Sequence, residues 1–289
     1  MAGGVMIAGL LHTVPALAPT FDALVADAVP GASREHVVDA WMLETAIAEG
    51  VTPAVRERVA RHLRHLADSG ADAVLVTCSS VGEAAEEAAA ALRIPVIRVD
   101  AAMAAESVRL AAHANSSGVF RPDTPSEGGK TQELAAGGIA VLATNTATLG
   151  PTTRLIEREA AARGVAVDVT ATVVEGAAAA RAAGDQATHD RLIADEVRRL
   201  AESGTASVLV LAQASMAPAA ESAGVDLPVL TSPAGGVAGL REALTPSDPG
   251  TPDASANRPA PPGSGGTSAA ASQADGTPAN GTPADGARA

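Results

Sequence analysis

The chain reads as an α/β protein of two pseudo-symmetric lobes, each a mostly parallel sheet flanked by helices, with a cleft between the lobes and a disordered C-terminal tail. Three observations predict this. Short apolar runs alternate with helical patterns over residues 5–244. One stretch of that alternation is echoed at a fixed offset. Residues 245–289 contain none of the large apolar side chains that build a core.

The elements follow in order. Residues 5–9 form a short apolar run suited to a buried parallel strand, and a helical pattern covers 16–29. Thr52-Pro53 supplies an N-cap and a proline at the first helical position, opening a helix over 53–69 that Gly70 closes. A strand at 73–77 precedes a helix at 81–92, and a strand at 94–99 precedes a helix at 101–112. The polar segment 114–137 carries Ser, Gly, Pro and the single Lys130, and reads as a loop inserted between helix and strand. The alternation resumes with strand 139–144, helix 151–163, strand 165–169, helix 188–203, strands 207–212 and 228–230, and helix 233–244.

The echo pairs Leu66-Ala-Asp-Ser-Gly70-Ala-Asp-Ala-Val74-Leu-Val76 with Leu200-Ala-Glu-Ser-Gly204-Thr-Ala-Ser-Val208-Leu-Val210. Each copy leads to a polar strand end, a helix and a second strand, Ile94-Pro-Val-Ile97 or Leu227-Pro-Val-Leu230, which implies duplicated lobes. In the tail, proline, glycine and the near-repeat Gly276-Thr-Pro-Ala-Asn-Gly281-Thr-Pro-Ala-Asp-Gly286 leave nothing to bury. Burial there cannot offset an ordering cost of roughly 1–2 kcal/mol per residue.

Composition excludes several functions. One Cys permits neither an internal disulfide nor a thiolate zinc cluster. With 20 Lys plus Arg against 33 Asp plus Glu, a net −13, there is no basic stripe for phosphates, and Phe21, Trp41 and Phe120 are too few for base stacking. No apolar run approaches the roughly 20 residues of a membrane span. Residues 5–11 lack the cationic start of a signal peptide, the first basic residue being Arg34, which points to a cytoplasmic chain with a reduced thiol. Gly128-Gly-Lys130-Thr131 imitates a phosphate loop without its first glycine, since Thr124 stands there, and a lysine in a polar insertion cannot serve a buried Schiff base. His62 and His65 lie on a helix rich in Arg56, Arg58, Arg61 and Arg64, a pattern that reads as a solvated face and not as a metal site. The remaining partners are a small carboxylate and a second copy of the chain.

The chemistry centres on Thr77-Cys78-Ser79-Ser80-Val81-Gly82. A thiol between a strand's carboxyl end and a helix's N-terminus feels the positive end of the helix dipole, which is expected to lower its pKa. The free N–H groups there, with two hydroxyls, form a cradle for a carboxylate.

Val74-Leu-Val-Thr-Cys78-Ser-Ser, Leu10-Leu-His-Thr13-Val-Pro15, Val141-Leu-Ala-Thr144 and Val210-Leu-Ala-Gln-Ala-Ser-Met216-Ala resemble the aspartate/glutamate/hydantoin racemase superfamily. The resemblance covers about residues 5–244 apart from 114–137. It implies a first lobe of residues 1–98 plus 230–244, a second of 99–229, and an isomerase that needs no cofactor or metal. In that family a cysteine from each lobe flanks the α-carbon of a small carboxylate. Cys78 matches the first-lobe thiol, Ser79 and Ser80 the cradle after it, and Thr13 and Thr144 the polar residues after each lobe's first strand, with Thr148 a looser neighbour. Gln213 and Ala214 complete the implied substrate-binding set.

The second thiol is absent. Anchoring on Met216 puts Gln213 in its place, the internal echo puts Ala212 there, and Ser215 stands where some members carry His. Neither Gln nor Ala exchanges protons. By resemblance Glu175 is the group best placed to act on the second face, ahead of His12. The implied function is α-carbon chemistry on a small carboxylate or amino-acid-like substrate through one cysteine. The alternatives are single-cysteine decarboxylation, cis–trans isomerisation, and carboxylate binding without catalysis.

Overall fold

The computed structural model describes residues 5–116 and 138–245. The tail expected beyond residue 245, and all but the first residues of the 114–137 insertion with its Lys130, lie outside the described residues. The first half runs β1 (Ile7–His12), a 3-10 turn (Pro15–Leu17), α1 (Ala18–Ala28), β2 (Ser33–Val38), α2 (Ala40–Glu49), α3 (Pro53–Asp68), β3 (Ala73–Val76), a 3-10 turn (Ser79–Val81), α4 (Gly82–Ala89), β4 (Val96–Arg98) and α5 (Ala101–Ser116). The second runs β5 (Ile139–Ala143), α6 (Thr146–Arg163), β6 (Val169–Val173), α7 (Ala177–Ala182), α8 (Gln186–Ser203), β7 (Val208–Leu211), a 3-10 turn (Ala214–Met216), α9 (Ala217–Ala223), β8 (Val229–Thr231) and α10 (Pro233–Leu244).

The strands form two all-parallel sheets with one topology, β2-β1-β3-β4 and β6-β5-β7-β8. Parallel sheets need both faces covered, so their central strands are apolar throughout. All residues of β3, β5 and β7 are buried. The edge strands β2 and β6 are half-exposed: β2, SREHVV, is polar over its first four residues, and β6, VTATV, sets Thr between apolar residues.

Helix boundaries follow local chemistry. Thr52 Oγ1 accepts the Val55 N–H at 3.3 Å and Pro53 follows, starting α3 as its sequence predicts. Gly70 then leaves it with φ +99°, a conformation that favours glycine. In α6 the sequence pointed to Pro151 as the start, but Asn145 Oδ1 accepts the Thr148 N–H at 3.1 Å and the helix begins at Thr146, running through Pro151.

The core consists of one apolar layer on each sheet face. On the first sheet, α2, α3 and α4 cover one face and α1 the other, where Phe21 and Val25 meet Leu10 and Leu75. On the second, α8 and α9 cover one face and α6 the other. Two helices cross between sheets. Met103, Ala104, Val108 and Ala111 of α5 pack on β5 and β7, while Val237, Leu240 and Leu244 of α10 pack on β1 and β3. The described residues accordingly form one compact unit. Among the described residues no helix is long and apolar enough to cross a membrane.

Candidate active site

Parallel strands end together, so the residues just past them form rows at the sheets' carboxyl edges, where open α/β sheets hold ligands. Continuing the registers His12↔Val38, Leu11↔Val76 and Val76↔Arg98 aligns Asp39, Thr13, Cys78 and Asp100 in one row. Continuing Ala143↔Val173, Leu142↔Leu211 and Leu211↔Thr231 aligns Val174, Thr144, Gln213 and Pro233 in the other. Cys78 and Gln213 are therefore equivalent. Each caps a 3-10 turn in extended conformation, at φ −128°, ψ 115° and φ −121°, ψ 134°. Gln213 thus stands in the second lobe where Cys78 stands in the first, and Ala212 corresponds to Thr77.

The two loops touch. Ser79 Oγ donates to the Ala212 carbonyl at 3.1 Å, and Ser80 Oγ lies 2.9 Å from Thr148 Oγ1. Both serines are buried. Their hydroxyls, which the sequence assigned to a carboxylate, tie one lobe to the other. Ala214 likewise crosses over, packing against the apolar layer of the first sheet.

Burial pushes the Cys78 thiol above its ordinary pKa, against the opposing pull of the Thr13 and Ser80 hydroxyls and the Ser80 and Val81 amides. This corrects the expected dipole-lowered thiol. The turn after Cys78 is a single 3-10 turn, α4 starts only at Gly82, and desolvation prevails. The residue as a whole is half-buried. The Thr13 hydroxyl is buried and bonds no oxygen or nitrogen among the described residues.

In the second row, the Thr144 N–H and Oγ1 reach Gln213 Oε1 at 2.6 and 2.8 Å. A backbone N–H can only donate, which fixes the amide's orientation. Gln213 Nε2 is left with two N–H donors that have no partner among the described residues.

Glu175 is exposed on the turn after β6, one position past the row. With Leu192, Asp195, Glu196 and Arg199 it lines a hollow of about 440 Å³ that Val174 of the row borders but Thr144 and Gln213 do not. No hydrogen bond or ion pair joins it to either row. His12 is fully buried on the sheet face opposite Cys78, its ring centroid 6.0 Å from that of Phe21. Its Nδ1 lies 3.0 Å from Thr77 Oγ1 and its Nε2 3.0 Å from His36 Nδ1, so neither nitrogen is free for a substrate.

Several row residues escaped sequence reading. Asp39 is nearly buried and bonded by Arg58 and by His62 Nε2, the latter at 2.6 Å, so His62 is paired and not on a solvated face. Burial raises the Asp39 pKa, but the bonds from Arg58 and His62 hold it below the usual carboxylate range. Arg58 also lies 4.7 Å over the Trp41 ring. Asp100 is fully buried and takes Arg98 Nε and Nη2 at 2.9 and 2.8 Å. An Asp directly after an amphipathic or apolar strand was the available signal for both.

No family model matches the chain, and no curated protein matches it by sequence. Solved structures do match. A glutamate racemase from Bacillus anthracis aligns over 83% of this chain and 81% of its own, with TM-score 0.57 and 18% identity. A putative Asp/Glu racemase from Yersinia pestis aligns over 83% and 100%, with TM-score 0.55 and 14% identity. The aspartate racemase of Picrophilus torridus aligns over 83% and 94%, with TM-score 0.55 and 14% identity. The chain has the fold of the aspartate and glutamate racemases. On this racemase fold the first lobe keeps a thiol at its carboxyl edge, and the second lobe presents an anchored amide at the equivalent place.

Proposed function

We propose that the chain performs cofactor-independent proton chemistry at the α-carbon of a small, amino-acid-like carboxylate, with Cys78 as the single proton-carrying group. The observation that carries this reading is the pairing of equivalent edge positions: Cys78 beside the Thr13 hydroxyl on one side, and Gln213 with its amide fixed by Thr144 on the other. The racemase neighbours support it at the level of fold.

The Cys78 thiolate takes the α-proton, and the electron pair left on carbon moves toward the carboxylate as an enediolate. Donors aimed at such developing charge lower the barrier. The Gln213 Nε2 amide and the Thr13 hydroxyl are placed to supply them. An amide cannot return a proton, so the thiol delivers it to the face from which it came. The outcome is exchange of the α-hydrogen without inversion.

Solvent-deuterium incorporation into a panel of small amino and hydroxy acids tests this. Exchange with retained configuration, abolished in Cys78→Ser, is the expected result. A second reading is favoured by the same Gln213: one-sided proton delivery also suits decarboxylation or cis–trans isomerisation, seen as carbon dioxide release or a changed double bond. Ligand binding without turnover, unaltered in Cys78→Ser, would leave only a carboxylate-binding role.

A further inference from the structure

Beneath the Cys78 turn, on the other face of the first sheet, lies a chain of polar groups that the proposed reaction does not use. Thr77 Oγ1 is 3.0 Å from His12 Nδ1 and 3.1 Å from the Leu11 carbonyl. His12 Nε2 is 3.0 Å from His36 Nδ1, and the two rings stack at 5.2 Å with 9° between planes. His36 Nε2 is 3.1 Å from Asp22 Oδ1, which also accepts Arg34 Nε at 2.7 Å. The chain begins at a buried hydroxyl one residue from the thiol and ends at a carboxylate 45% exposed on α1.

These contacts admit two proton arrangements. With each imidazole neutral, Thr77 donates to His12 Nδ1, His12 Nε2–H to His36 Nδ1, and His36 Nε2–H to Asp22. With one proton added, His36 donates from both nitrogens, to Asp22 and to His12 Nε2. His12 then donates from Nδ1 to Thr77, and Thr77 donates to the Leu11 carbonyl. The first arrangement holds three protons over the four contacts and the second holds four.

We propose that Asp22, His36 and His12 are positioning residues for the Cys78 turn, coupling proton uptake at the protein surface to the hydrogen bond made by Thr77. Burial first, and the charge of His36 second, lower the His12 pKa to about 4, and His36 is the ring that meets the Asp22 carboxylate. The groups facing the pair are few. α1 brings Asp22 and Phe21, β2 brings Arg34, and β3 brings Thr77. On α10, packed against α1, neither Arg241 nor Glu242 bonds to the chain.

The sole cysteine makes the test direct, and no substrate is needed, so its failure is distinguishable from failure of the α-carbon reading. Full-length protein with nitrogen-15-labelled histidine is titrated over about pH 5–8, where imidazoles exchange charge, and Cys78 alkylation by iodoacetamide is timed over the same range. The expected result is a coupled change in both rings and an inflection in alkylation at the same pH, of roughly two- to tenfold, the weight of one rearranged hydrogen bond. That inflection disappears in Asp22→Asn and in His36→Gln. Asp22→Asn, at a half-exposed carboxylate, keeps the test decisive where His36→Gln fails to fold. Independent titration of the two rings, or an alkylation profile in Asp22→Asn that superimposes on wild type, would overturn the proposal.

Discussion

Cys78 is a thiol held back by its surroundings. Because burial raises its pKa, activity that depends on the thiolate is expected to climb with pH through and beyond the ordinary thiol range near about 8.5, without a plateau at neutrality. A pH–rate profile of α-proton exchange checks this. Across the site, Gln213→Cys places a second thiol at the equivalent edge position, and is expected to convert exchange with retention into exchange with inversion, read by chiral chromatography. His12 carries a stability cost of the opposite sense. Its folded pKa of about 4 lies below its ordinary 6.5, so the unfolded chain binds more protons in that window. The stability it confers is complete above pH 6.5 and is lost as pH falls through about 4, amounting to roughly 3 kcal/mol at about 1.4 kcal/mol per pKa unit. Urea melts at a series of pH values measure this, and the slope flattens in His12→Asn. Gly82 marks another constraint. A Cβ there would lie 2.5 Å from Arg98 Nε, and that guanidinium is buried and clamped by Asp100. Gly82→Ala is expected to cost about 1–3 kcal/mol in denaturant unfolding, as overpacking does.

The elements show which signals a sequence carries and which it does not. Strands β1, β3, β5 and β7 are apolar on both faces and were legible as short runs, although β1 lies later, at Ile7–His12, than its run at 5–9. The edge strands β4 and β8 fall within or beside the runs at 94–99 and 228–230, whereas the other two edges were not placed. β2 carries Arg34, Glu35 and His36 and reads as a polar connection, and β6 sits at Val169–Val173, after the run at 165–169, because its ladder with β5 begins at Val169. With β2 unread, Asp39, the His12–His36 stack and the pairing of His62 were also out of reach, since each depends on where β2 lies. The helix that the internal echo calls for before Leu227 is α9, whereas the short helices α2 and α7 were not read, although Gly50 follows α2 at φ +81°. The positions of Cys78, Thr13, Thr144 and Gln213 at the sheets' carboxyl edges were legible because each follows a strand that could be read, whereas the use of Ser79 and Ser80 as bridges needs the opposite lobe. The cap of α6 belongs to this scale too. Asn145→Ala removes the acceptor of the Thr148 N–H and is expected to cost about 1 kcal/mol in thermal or urea unfolding. It also loosens Thr148, the partner of Ser80.

At the scale of the molecule, the lobes are joined by polar bridges and by crossed helices. Arg154 meets Glu83 and Arg158 meets Glu86, pairing α6 with α4 over exposed side chains. Such pairs contribute little individually and are screened by salt. The apolar crossings dominate, so urea unfolding of the chain is expected to show one transition for both sheets, by far-UV circular dichroism and by Trp41 fluorescence alike; two separated transitions would refute the coupling. The crossings also bear on origin. α5 leaves the first sheet to cover the second, and α10 leaves the second to cover the first. A single half-length ancestor would lack the helix that closes its own sheet and would have to obtain it from a neighbour. Each half therefore closes the other half's sheet with its own last helix, the reciprocal exchange that two subunits make in a domain-swapped dimer, here carried within one chain.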